Sequence, residues 1–179
     1  MCGAQVLGRI EAAWQAIDPV PDPEIPVLTL RDLGIVREVR LDEEGALEVV
    51  LTPTYSGCPA TEVISASVAE ALEAAGLAPF AVTLRRAPAW TTDWISEQGR
   101  QRLREYGIAP PGPVAAGEGV PVRLHRRASA SAPAASADPS CPRCDSPRTE
   151  RLSAFGSTAC KSLWRCLACR EPFEHFKPI

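Results

Sequence analysis

Apolar residues recur along the first third of this chain with two different periods. Val6, Ile10, Ala13, Trp14 and Ile17 fall at helical spacing and predict an amphipathic helix over 5–17, ending before Asp18-Pro19. The next nine residues, Asp18 to Pro26, contain four prolines, which rules out helix or central strand and predicts an ordered or extended loop. Polar residues then alternate with Val and Leu over Ile35–Leu41 and Ala46–Thr52, two strands joined by the turn-forming Asp42-Glu43-Glu44-Gly45. A helix over Ala60–Ala75 is expected to bury Val63, Ile64, Val68, Ala71 and Leu72 and to stop at Gly76. Phe80–Arg86 reads as a third strand. Thr92–Tyr106 reads as a last helix, capped by Thr91 or Thr92 and terminated by Gly107. This order predicts a small α+β domain, a short mixed sheet with helices packed on one side.

Beyond residue 107 the pattern fails. Ala128–Ser140 holds only Ala, Ser, Pro and one Asp, with nothing to bury, so a tether is expected; Val120–Leu124 carries a weak strand signal. The chain therefore divides into a domain over 1–107, a Pro/Ala/Ser-rich linker over 108–140 and a cysteine-rich segment over 141–179.

That segment holds five of the seven cysteines, and four of them form two Cys-x-x-Cys pairs, Cys141/Cys144 and Cys166/Cys169. Two such turns bring four thiolates around one ion, the ligand set of a zinc ribbon with structural Zn²⁺. Neither pair is followed by glycine, since Asp145 and Arg170 stand there, so each tight turn is built without the most permissive residue. Cys160 is read as a spare thiol. Disulfides are the weaker reading because the N-terminus shows no basic start, apolar run and small-residue cleavage site; a reducing, cytoplasmic compartment is expected.

Charge changes this picture little. Residues 1–106 carry 16 Asp+Glu against 9 Lys+Arg, net −7, whereas 141–179 carry 4 against 7, net +3. Four thiolates and one Zn²⁺ bring the tail to about +1. The basic excess is thus largely matched by the metal site, and nucleic acid is not the expected partner. No apolar run approaches the roughly 20 residues of a membrane span.

Outside the tail, Cys58 is the candidate functional thiol. It precedes a helix that begins with proline, where unpaired N–H groups and the helix dipole would favour a thiolate; a small buried core residue is the competing reading. Asp22 and Glu24 form a candidate acidic loop, fixed by prolines for metal contact or partner docking, or else ordinary solvated charges. Trp90 and Trp94 are expected to anchor a helix on the sheet. The two histidines, His125 and His175, supply no Glu-x-x-His pair for a di-iron site and no Ser-His-Asp set, and no Gly-rich phosphate loop occurs.

Asp22-Pro-Glu-Ile-Pro, Asp32-Leu-Gly-Ile-Val, Thr52-Pro-Thr-Tyr-Ser-Gly-Cys-Pro-Ala and Ala89-Trp-Thr-Thr-Asp together resemble the small α+β family of iron–sulfur cluster assembly. With Cys141-Pro-Arg-Cys, Phe155-Gly-Ser-Thr-Ala-Cys-Lys, Trp164-Arg-Cys and Cys169-Arg-Glu-Pro-Phe, nearly the whole chain is similar to the family of D subunits of phenylacetyl-CoA epoxidase systems. The resemblance implies a non-catalytic accessory or maturation factor of a bacterial multicomponent oxygenase whose other subunits carry the di-iron centre and the reductase. It implies that Cys58 corresponds to the family's functional cysteine, Asp22 and Glu24 to its acidic loop, and Cys141, Cys144, Cys166 and Cys169 to structural zinc ligands. A transient iron or iron–sulfur cluster is the implied cargo. Two alternatives stay open: an adaptor subunit without metal transfer, and a rubredoxin-like carrier with iron in the ribbon.

Overall fold

The computed structural model describes residues 3–55, 57–112 and 138–179, in two compact units, Met1–Tyr106 and Gly107–Ile179. In the first unit the elements run α1 (Gly3–Ile17), β1 (Val36–Leu41), β2 (Leu47–Leu51), α2 (Thr61–Ala74), β3 (Phe80–Leu84), a 3₁₀ turn (Thr92–Trp94) and α3 (Glu97–Tyr106). The sheet order is β1-β2-β3, antiparallel between β1 and β2 and parallel between β2 and β3. Helix α1 touches both α2 and β1 while α2 touches β3, so both helices lie on one face of a mixed sheet, as the alternation of elements predicts. Central β2 is the most enclosed strand: Leu47, Val49, Val50 and Leu51 are all buried against a core that includes Ile17, Val68 and Leu72.

The helical periods translate into packing with two corrections, since Ala71, expected inside, is only half-buried and Val63 is further out. Ile64, Val68 and Leu72, four residues apart, form the buried stripe of α2, whereas Val63, expected inside, is 53% exposed because its 100° offset carries it past the stripe. Gly76, with φ +68, closes the helix as Leu77 N–H donates to Leu72 O. The expected single helix over Thr92–Tyr106 is split. Thr91 Oγ1 accepts from Asp93 N–H and caps the 3₁₀ turn, Ile95 is extended, and Ser96 Oγ accepts from Gly99 N–H to cap α3 anew. Two capping residues five positions apart start two elements.

The Asp18–Pro26 loop folds back on itself through a bridge between Pro21 and Thr29 and a hydrogen bond from Asp22 N–H to Leu28 O. Trp90 is buried and donates its indole N–H to Leu33 O, and the Arg37 guanidinium stacks 3.5 Å from the Trp94 ring. Gly34, at φ +66, lies so close to Trp94 that a Cβ would stand 2.7 Å from its carbonyl oxygen, which is why glycine is required in Asp32-Leu-Gly.

The second unit is a four-stranded sheet, β4-β7-β6-β5, made of β4 (Ile108–Ala109), β5 (Thr149–Ser153), β6 (Lys161–Cys166) and β7 (Pro172–Phe176). Strands β5, β6 and β7 form an antiparallel meander, and β4 adds parallel to β7. Ile108 and Ala109, placed at the start of the linker by sequence, are buried strand residues here; a dipeptide is too short to show a period. Val120–Leu124 and most of the Ala/Ser/Pro tether lie outside the described residues.

Candidate metal centre and thiol site

Each ribbon cysteine pair sits in a turn closed by the backbone. Asp145 N–H donates to Cys141 O and Cys141 N–H to Ser146 O; in the second turn Arg170 N–H donates to Cys166 O and Cys166 N–H to Glu171 O. The residue after each pair takes the left-handed conformation, Asp145 at φ 58 and Arg170 at φ 69, so the turn geometry usual for glycine is reached here by an Asp and an Arg at about 1–2 kcal/mol each. The four sulfurs lie within 4.8 Å of one another, with Cys141 Sγ 3.7 Å from Cys169 Sγ and Cys144 Sγ 3.6 Å from Cys166 Sγ. A tetrahedron with Zn–S bonds of about 2.3 Å has edges of about 3.8 Å, so the donor set fits a four-thiolate metal ion. Cys169 N–H and Ala168 N–H point at Cys166 Sγ and lower the pKa of that thiol, while burial and the hydrogen bonds to the other sulfurs push Cys169 up, so Cys166 is the sulfur of the pair that gives up its proton first.

Around this centre Cys141 and Cys166 pack with Ala109, Trp164 and Phe173 in a small core. Cys160 is buried apart from the four, its sulfur 3.0 Å from Thr158 Oγ1. Two further ribbon residues carry no recognisable signal in sequence. Lys161 is 3% exposed and its ammonium lies 2.7 Å from Glu174 Oε2, while Glu174 Oε1 accepts from Ser157 N–H, fixing the Phe155–Cys160 loop. His175 is buried beside Trp164, and loss of solvation lowers its pKa to about 4.

Cys58 lies in the first unit, in the turn before α2. The helix begins at Thr61 with Ala60 as N-cap, so Cys58 lies two residues before the cap, and its carbonyl accepts from Thr61 Oγ1 at 2.8 Å. The thiol is half-buried. Burial raises its pKa, Glu24 and Asp22 raise it further by charge, and the Ala60 N–H and Thr61 hydroxyl oppose them without prevailing. The expected helix-activated thiolate is thereby corrected to a neutral thiol with carboxylates close enough to be felt.

Those carboxylates come from the proline-fixed loop. Asp22 is buried, and its Oδ1 accepts from Glu24 N–H at 2.9 Å and Ile25 N–H at 2.7 Å, turning the loop; Glu24 is half-buried. Thus Asp22 and Glu24 are not simply solvated loop charges: Asp22 builds the turn and both bear on Cys58. Among the described residues, the four ribbon cysteines are the only group of three or more His, Cys, Asp or Glu side chains placed to hold one ion, so Cys58 and the acidic loop do not form a second preformed cage. No helix among the described residues is long and apolar enough to cross a membrane.

A small α+β domain with a mixed three-stranded sheet, carried in one chain with a four-cysteine ribbon, is thus the kind of protein these elements make, and comparison with known proteins narrows it. Residues 10–82 match the family model for an iron–sulfur cluster assembly protein, and residues 125–177 match that for a PaaD zinc beta ribbon domain. The D subunit of the putative 1,2-phenylacetyl-CoA epoxidase of Escherichia coli (strain K12) is 46% identical over 96% of this chain and 94% of its own length. The chain belongs to the family of that epoxidase component. An Fe-S protein maturation auxiliary factor of Porphyromonas gingivalis is 34% identical over 47% of this chain and 80% of its own length. A domain of unknown function from Bacillus anthracis shares the fold of the first unit, with a TM-score of 0.51 at 22% identity over 56% of this chain and 96% of that one.

Proposed function

We propose that the chain is a cytoplasmic, non-catalytic accessory factor of a phenylacetyl-CoA epoxidase system, assisting assembly of iron or iron–sulfur centres in partner subunits. The observation that carries the reading is the joining, in one chain similar end to end to an epoxidase component, of a maturation-factor domain and a four-thiolate ribbon. Cys58 is the working thiol. It is held neutral beside Glu24 and Asp22, so an arriving iron ion or cluster displaces its proton and the carboxylates offset the cationic cargo. Among the described residues Cys58 is the only cysteine of the first unit, which suits cargo passed on rather than kept. The ribbon holds structural zinc through Cys141, Cys144, Cys166 and Cys169 and serves as the contact with the oxygenase or its reductase.

A rubredoxin-like carrier is the second reading, favoured by the same four sulfurs, since tetrahedral thiolate sites accept iron as well as zinc. Colourless protein with about one zinc per chain excludes it. The leading reading is tested on the partner: oxygenase produced without this chain is expected to be deficient in iron, and restored by its co-expression. Full iron loading without the chain, combined with co-purification at fixed stoichiometry, replaces it with a structural adaptor.

A further inference from the structure

Strand β3 forms an open edge of the first sheet, and its ladder fixes which backbone groups face out. Leu47 N–H donates to Pro79 O, Arg85 N–H donates to Leu51 O, and the register between them runs unbroken from Leu47 opposite Phe80 to Leu51 opposite Leu84. In a parallel ladder alternate residues bond to the same neighbour. Ala81 and Thr83 therefore bond to β2, while the N–H and C=O groups of Phe80, Val82 and Leu84 point away from it. Among the described residues no strand and no other backbone group meets them.

The two edges of this sheet differ. β1 carries Arg37, Glu38 and Arg40 and a register shift between Val36 and Glu38, and charges and irregularities of this kind deter the addition of another strand. β3, Phe-Ala-Val-Thr-Leu, has no charge, no proline and no shift, and its Ala81 and Leu84 are exposed. An edge left regular and uncharged is a template for an extended chain.

At its C-terminal end this edge runs into a shallow apolar cleft lined by Ile35, Leu51, Pro53, Thr61, Ile64 and Leu84, of which Leu84 is 43% exposed. Thr61 joins the cleft to the thiol site, since its hydroxyl donates to Cys58 O at 2.8 Å. Arg85, next after Leu84, is held by Glu38 at 3.2 Å, whereas Arg86 is exposed and has no carboxylate partner among the described residues.

We infer that β3 is a docking edge for an extended segment of a subunit of the epoxidase system. The segment adds as a fourth strand, seats an apolar side chain in the cleft and turns a carboxylate toward Arg86. A second copy of this chain fits the edge poorly. Helix α2 lies against β3 and carries exposed Glu62, Glu70 and Glu73 with no Lys or Arg, so joining two β3 edges would set two acidic helices side by side. Five residues a side also fall far short of the roughly 20–30 a side of a standard interface between folded proteins. An extended segment needs no such area, because main-chain hydrogen bonds hold it and a pocket selects its side chain. The inference rests on the proposed function in naming the partner, and it brings that partner's segment beside Cys58.

The test is residue-resolved amide hydrogen exchange on the full, metal-loaded chain, free and with the purified oxygenase component or reductase, each produced without this chain. In the free chain the amides of Phe80, Val82 and Leu84 should exchange fast and those of Ala81 and Thr83 slowly. A bound subunit should slow the three outward amides by about tenfold or more and leave the other two unchanged, an alternation that general burial does not produce. Leu84→Arg should weaken binding by about tenfold or more, and so should Val82→Pro, which removes an N–H outside the β2 ladder. Outward amides already slow in the free chain, or slowed by raising the concentration of this chain alone, would overturn the inference. So would binding that slows all five amides alike, or a folded Leu84→Arg chain that binds as the wild type does. A subunit that binds and leaves these amides unchanged removes the docking edge and leaves the accessory reading standing; if neither subunit binds, both fall.

Discussion

Replacing Glu174 by leucine strips the counter-charge from an ammonium that has almost no access to water. The Lys161 side chain is 4% exposed and that of Glu174 22%, with 2.7 Å between Nζ and Oε2. At such burial the pair itself contributes little net stability, since desolvation offsets most of the attraction, but a lone charge left behind costs about 3–5 kcal/mol. The Ser157 N–H loses its acceptor as well; it is exposed, so water replaces the bond at little cost. The Glu174→Leu variant is therefore expected to lose about 3–5 kcal/mol of ribbon stability, and the double variant Lys161→Met/Glu174→Leu to recover most of it. Native-state hydrogen exchange of β6 and β7 amides, at fixed zinc concentration, reads the ribbon separately from the first unit. A single variant that costs under about 1 kcal/mol, or a double variant as unstable as the single, would rule out a buried, mutually dependent ion pair.

A chelator at neutral pH should remove about one metal ion per chain and abolish exchange protection across β5–β7 while β1–β3 stay protected, because the core shared by Cys141, Cys166, Trp164 and Phe173 is too small to hold the sheet alone. Protection that survives metal removal would contradict this. His175 is buried neutral with a pKa near 4 against about 6.5 when unfolded, so its contribution is whole above pH 6.5 and is lost as pH falls toward 4, by up to about 3 kcal/mol. The His175→Gln variant should show a shallower loss of ribbon stability over that interval, and parallel pH profiles would exclude the effect. Gly34→Ala forces a left-handed alanine against the Trp94 carbonyl and should destabilise the first unit by about 2–4 kcal/mol in urea unfolding.

Features that depend on neighbours along the chain are legible in the amino-acid sequence. The Ile64-Val68-Leu72 stripe, the strand-turn-strand around Asp42–Gly45 and the two cysteine pairs are local patterns, and each reappears as an element or a cluster. What escapes is non-local or too short for a period. Sequence predicts a lowered Cys58 thiol because a helix start is visible beside it, whereas the burial that raises it comes from tertiary packing, and the carboxylates that add to it lie in a loop more than 30 residues upstream. Lys161 looks like a surface residue until β7 brings Glu174 beside it, and Asp32 is one acidic residue among many until α3 supplies Ser96 and Arg102. Ile108-Ala109 gains strand character only from the edge of β7.

The role of Cys58 is tested most sharply by epoxidase activity in a strain lacking this chain, complemented with Cys58→Ala that retains its ribbon zinc and its fold. A working thiol at that position predicts little or no recovery, with the oxygenase isolated from that strain short of iron. Recovery equal to the wild-type chain would contradict it and remove Cys58 from the function.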